Sequence, residues 1–152
     1  MLGRPPASRN GLDFYQVPMK VNLSEKFSSF SGPWRPKIVA TVNGQDVKLV
    51  KAKGEFVWHR HDEADELFLV WRGRLRLEFR GRTIDLEEGE LGVAPRGLEH
   101  RTVADEEADV LIFEPVGTRN TGNVTDPNFT APAEKIWRCP PRRRPGSTGR
   151  DV

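Results

Sequence analysis

The chain has three histidines in 152 residues, and two of them, His59 and His61, stand two apart in GEFVWHRHDEADELFLVWRG, Gly54 to Gly73. In an extended chain residues i and i+2 project to the same side, so both imidazoles enter one space. Glu66 opens the next apolar run and faces the same way by the same alternation, with Glu63 and Asp65 as close competitors. His100 lies in a second stretch punctuated by Gly and Pro, GELGVAPRGLEH. A single surface histidine is usually a solvated side chain. Three that recur beside ordered glycines and a proline point instead to a shared site. Three neutral imidazoles and a carboxylate suit a divalent first-row metal of intermediate softness: Fe, Mn, Ni, Co, Cu or Zn. An octahedral shell would leave two positions for water, O₂ or a bidentate substrate, which separates a working centre from a closed structural one. Such a metal polarises a carbonyl or lowers the pKa of a bound water. The spacing does not choose among the metals.

The elements that must position these residues read as strands. From Lys37 the hydrophobic period is two, and KIVATV and QDVKLVKA flank Asn43-Gly44, the dipeptide of a tight type I′ hairpin. GEFVWHRH, ELFLVW and RLRLEFR follow; in the last, Leu75, Leu77 and Phe79 face one way and Arg74, Arg76, Glu78 and Arg80 the other. TIDLEE, LGVAP, HRTVA and DVLIFEP bring the expectation to about nine short strands. No helix is long enough for a βαβ crossover, so the fold class is all-β, a sandwich or a barrel. Ahead of the strands, Asn22 with Glu25 predicts a helix N-cap, and Leu23, Phe27 and Phe30 share one helical face. This short helix would cover one end of the sandwich or a partner subunit, and SGPWRP ends it.

The two histidine-bearing stretches resemble the paired signatures of the cupin superfamily. Gly54, His59, His61, Glu66 and Gly73 follow the first signature, with a spacer after Gly54 one residue shorter than its commonest form. Gly89, Pro95, Gly97 and His100 follow the second, while Ala104 stands where that signature has an Asn that is not a metal ligand. The resemblance covers roughly residues 38 to 115. It implies a double-stranded β-helix, the jelly-roll cupin barrel, with His59, His61, Glu66 and His100 as the ligands of one divalent metal. More narrowly, the chain is similar to small one-domain cupins often labelled phosphomannose isomerase-like.

Other residues invite weaker readings. Phe68 and Val70 share the parity of Glu66 and are expected as apolar pocket wall or ordinary core. Trp58 and Arg60 alternate with the histidines and should face away from the site. Arg96 and Arg101 are positioned to meet an anionic substrate, or are plain loop arginines. GTRNTG, Gly117 to Gly122, is either the mouth of the site or a surface loop. Asp62, Glu63 and Asp65 read as a solvated turn. No second acid/base pair and no serine or cysteine nucleophile is evident, and the only tyrosine, Tyr15, lies in the N-terminal stretch.

At 36% hydrophobic the chain has enough apolar material for one core. We expect a flexible leader over 1–18, one domain over 19–138 and a disordered basic Pro/Arg tail over 139–152. Met19 is a plausible start of the folded unit. The net charge of +2 belongs to the ends: 140–152 carry +3 and 1–18 carry +1, leaving the body at about −2. That argues against nucleic acid as a partner. No apolar run approaches a membrane span, the N-terminus lacks the core of a signal peptide, and the lone Cys139 cannot form an internal disulfide. A cytoplasmic location is expected. The leading functional expectation is a metal-dependent enzyme for a sugar, sugar acid or keto/enol compound, isomerase-like or dioxygenase-like. The alternative is a non-catalytic metal- or carbohydrate-binding module. Trp58, Trp71 and the N-terminal helix further suggest a homodimer.

Overall fold

A computed structural model describes residues 19–136. The expected leader over 1–18 and tail over 139–152 lie outside the described residues. Asn22 caps α1 (Leu23–Ser28) by accepting the Glu25 amide at 3.0 Å, as the sequence predicts. Among the described residues no helix is long and apolar enough to cross a membrane.

Eight strands follow among the described residues: β1 (Lys37–Val42), β2 (Gln45–Glu55), β3 (Glu66–Arg72), β4 (Leu75–Phe79), β5 (Arg82–Leu86), β6 (Leu91–Ala94), β7 (His100–Pro115) and β8 (Glu134–Lys135). β1 and β2 form the expected hairpin, and Asn43 and Gly44 hold the positive φ values of 51° and 74° that a type I′ turn needs. β7 is the spine. Its first residues pair with β4, its last with β3, and β2 runs antiparallel along its other edge. β5 extends β4, and β6 extends β3. One long strand thus serves two groups of strands and closes them into the jelly roll.

The strand count differs from expectation in three places. HRTVA and DVLIFEP are one strand, because the acidic residues Asp105, Glu106 and Glu107 do not break it. They sit exposed in an irregularity where Ala52 pairs with Ala108 but Gly54 with Ala104. GEFVWHRH is not a separate strand: β2 continues to Glu55, and beyond it the chain keeps only an isolated bridge between His59 and His100. β8 was not expected.

Alternation places the core. Leu75, Leu77 and Phe79 are buried in the barrel with Phe68, Val70 and Val110, while Arg74 and Arg80 on the opposite parity are exposed. Phe27 of α1 packs with Val39 and Leu49 on the outer face of the sheet. The helix therefore covers its own β1 and β2. Full burial of the Phe27 ring contributes about 1.5–3 kcal/mol.

Candidate metal centre

His59, His61, Glu66 and His100 converge inside the barrel, each buried, with one ligand atom apiece all within 4.8 Å of one another. Glu66 is the first residue of β3, and His100 the first of β7. The two histidines of the first stretch are not on a laddered strand, yet they meet as alternation predicts, because their backbone is pinned from both sides. His59 and His100 exchange amide-to-carbonyl bonds of 3.0 and 2.8 Å, and the Gly97 amide donates to the His61 carbonyl at 2.8 Å. From the other side, Asn123 accepts from the Arg60 amide at 2.8 Å and its own amide donates to the Arg60 carbonyl at 3.0 Å.

The ring nitrogens divide into held and free. His59 Nδ1 lies 2.9 Å from the Val57 carbonyl and His100 Nδ1 3.0 Å from that of Leu98. A carbonyl accepts only, so both rings carry the proton on Nδ1 and turn the Nε2 lone pair inward, the tautomer that ligates a metal. His59 Nε2 and His61 Nε2 are buried without a hydrogen-bond partner. His61 Nε2 is 3.0 Å from Glu66 Oε2 but misaligned for a hydrogen bond. His100 Nε2 is 3.2 Å from the same oxygen. Each unpartnered buried polar atom costs about 1–3 kcal/mol. A cation at the convergence point would satisfy them together.

Electrostatics fit such a cation. Burial chiefly lowers the His59 pKa to about 4, so the ring stays neutral as ligation requires. Burial alone would raise the Glu66 carboxyl, but the facing His100 and His61 imidazoles outweigh it and hold it at about 2, ionised. The residues present fit a divalent metal: three neutral donors and one negative charge.

Of the acidic competitors, Asp65 is exposed and accepts from the Arg96 amide at 2.8 Å, Asp62 pairs with Arg60 at 2.7 Å, and Glu63 is exposed. They form the solvated turn. Neither arginine beside the second stretch lines the cavity. Arg96 pairs with Asp65, and Arg101 binds Glu78 at 2.7 Å and Glu55 at 3.1 Å. Trp58 does face away; it is stacked beneath Arg80, whose guanidinium carbon is 3.8 Å from the ring centroid, with Arg101 at 5.1 Å.

A cavity of about 40 Å³, counted at water centres, adjoins the cluster. Its walls include Phe56, Phe68, Val110 and Ile112, with His59 and Glu66 among the lining residues. Val70 is buried core and does not line it. GTRNTG does belong to the site region: Asn120 lines the cavity and Gly122 lies against the Arg60 carbonyl and the His61 ring.

The expectation that the cavity lacks a second acid/base pair is overturned. Lys48 and Glu114 both line it, 2.7 Å apart and each 2% exposed. Their parity was the available signal. Lys48 shares the parity of the buried Val50 and Ala52, and Glu114 that of Val110 and the cavity-lining Ile112, so both charges point inward.

Comparison with known proteins agrees with this geometry. The family described as "Cupin domain" matches residues 46–115. An uncharacterized Bacillus subtilis (strain 168) protein, YdbB, is 35% identical over 81 residues, which span 53% of this chain and 66% of YdbB. The crystal structure of a cupin-2 domain containing protein from Shewanella frigidimarina superposes with a TM-score of 0.62 at 45% identity, covering 62% of this chain and 93% of that one. Protein NMB1881 from Neisseria meningitidis gives a TM-score of 0.60 at 26% identity over 64% of this chain and 99% of its own. The barrel, the two signatures and the identity to a solved cupin that is matched over nearly its whole length agree: the chain belongs to the cupin superfamily.

Proposed function

We propose that the domain holds one divalent transition metal (Fe, Mn, Zn, Ni or Co) on His59, His61, Glu66 and His100, and that it is a small-molecule metalloenzyme. The observation that carries this is the pair of buried imidazole nitrogens, His59 Nε2 and His61 Nε2, left without partners beside an ionised carboxylate. When bound, the metal supplies Lewis-acid polarisation of a substrate oxygen. The chain supplies the rest. The Val57 and Leu98 carbonyls fix the His59 and His100 rings, Glu66 balances charge, and the apolar walls exclude water.

Of a sugar, a sugar acid and a keto/enol compound, the small cavity with its aromatic and aliphatic walls favours the keto/enol compound, chelating through two oxygens. The chemistry is then a proton shift of the isomerase type or an O₂-dependent cleavage of the dioxygenase type. We place this activity in the cytoplasm, with a small molecule rather than nucleic acid or membrane as the partner.

The test loads the protein separately with Fe(II), Mn(II) and Zn(II). Oxygen uptake is followed with small diketones and catechols, and isomerisation of small hydroxyketones by proton NMR. Turnover that disappears in the His59→Ala/His61→Ala variant supports the enzyme. Saturable ligand binding without turnover under any metal would instead favour a non-catalytic metal- or carbohydrate-binding module.

A further inference from the structure

His59 and Glu66 of the metal centre account for only part of the cavity wall. Among the described residues three buried side-chain polar atoms lack a hydrogen-bond partner: His59 Nε2, His61 Nε2 and Glu114 Oε2. The first two belong to the centre. The third belongs to a residue that lines the same cavity on another strand.

Glu114 is held firmly by its other oxygen. Lys48 Nζ donates to Glu114 Oε1 at 2.7 Å and to the Thr118 carbonyl at 3.2 Å. Two other polar side chains of the wall, Trp34 and Asn120, are already committed. Trp34 Nε1 donates to the Lys53 carbonyl at 2.9 Å, and the Asn120 amide donates to the Phe129 carbonyl at 2.7 Å while accepting from the Ala131 amide at 3.1 Å. A buried acceptor left without a donor costs free energy, and a ligand that brings a donor recovers it. Lys48 already balances the carboxylate charge, so the fitting donor is an uncharged O–H rather than a second cation.

We infer that Glu114 is a specificity-determining residue, whose Oε2 accepts a hydrogen bond from a hydroxyl on a small hydroxyketone or enol. The chelating oxygens of that ligand face His59, His61, Glu66 and His100. This rests on the metal reading given above. The ligand class follows from three features: two oxygens for the centre, one hydroxyl for Glu114, and a short carbon frame against apolar walls.

The probes are dihydroxyacetone and hydroxyacetone, which differ by one hydroxyl. Each is titrated at pH 8 into protein loaded with Co(II), read by the visible Co(II) spectrum and by calorimetry. The expected result is dihydroxyacetone binding about tenfold more tightly, equivalent to ~1.4 kcal/mol. In Lys48→Met/Glu114→Leu the buried ion pair is replaced by apolar groups of similar size, which leave the extra hydroxyl no side-chain partner there. That variant should load Co(II) normally, bind hydroxyacetone within about twofold of the original, and lose the preference. Equal affinities in the unaltered protein, no binding of either probe to the loaded protein, or a preference retained in Lys48→Met/Glu114→Leu would overturn the assignment of Glu114. Failure of the unaltered protein to take up Co(II) would instead overturn the metal reading on which it rests. The comparison within the unaltered protein stands even if the variant does not fold.

Discussion

Two buried residues of the cavity pull stability in opposite directions with pH. His59 is depressed to about 4, so its neutral ring favours the fold above the unfolded value near 6.5. That contribution is lost as pH falls toward 4. Glu114 is raised to about 7 by burial and then by the Glu66 charge, against the attraction of Lys48. Its contribution is present below about 4.5, where both states are protonated, and is lost as pH rises through about 7, where the fold must hold a buried carboxylate. For metal-free protein, the melting temperature of Glu114→Gln should therefore gain on that of the original by several degrees between pH 5 and pH 8. Parallel melting curves across that range would contradict the raised carboxyl. Glu114 was hard to read from sequence because a charge inside an alternating strand looks like its solvent side; only the shared parity with Val110 and Ile112 says otherwise. Glu66 was legible for the complementary reason: β3 begins at Glu66, and Phe68 and Val70 fix which way it points.

At the scale of elements, the site depends on a loop pressed against the backbone of Arg60 and His61. Gly122 has φ +51°, and a Cβ there would collide with the Arg60 carbonyl and come within 3.1 Å of His61 Nδ1. Gly97 has φ +77°, but a Cβ there meets open space. Gly97→Ala should cost only the left-handed backbone strain, about 1–2 kcal/mol, and keep the metal. Gly122→Ala should cost more and weaken metal binding about tenfold or more by displacing His61. Urea denaturation with competitive metal titration checks both, and equal effects at the two glycines would contradict the role given to this loop. The hairpin at Asn43-Gly44 and the capped helix were legible because their signals are local. The return of GTRNTG to Arg60 was not, since it is set by a contact across more than sixty residues rather than by spacing.

At the scale of the whole molecule, one apolar face has no cover among the described residues. Leu67 and Leu69 of β3 stand in register with Val93 and Leu91 of β6, and Leu91, Val93 and Trp71 are 56%, 43% and 37% exposed. The sequence placed the homodimer contact at Trp58, Trp71 and the helix. Trp58 is taken up by Arg80 and Arg101, and the helix packs on its own sheet, so the proposed contact narrows to the β3/β6 face. Light scattering should give twice the chain mass, reverting to one chain in Leu91→Glu; a monomeric mass at high micromolar concentration would contradict it. The jelly roll was legible because period-two alternation runs nearly unbroken from Lys37 to Pro115. The continuity of β7 was not, because Asp105 to Glu107 looks like a turn until the β2 irregularity accommodates it. The account stands or falls on the metal, so the direct measurement is elemental analysis of protein purified without chelators, beside His59→Ala/His61→Ala. It predicts close to one transition metal per chain in the first, and none in a variant that keeps its β-sheet circular dichroism. A folded double variant with full metal occupancy, or an unaltered protein that takes up none after reloading, would contradict it.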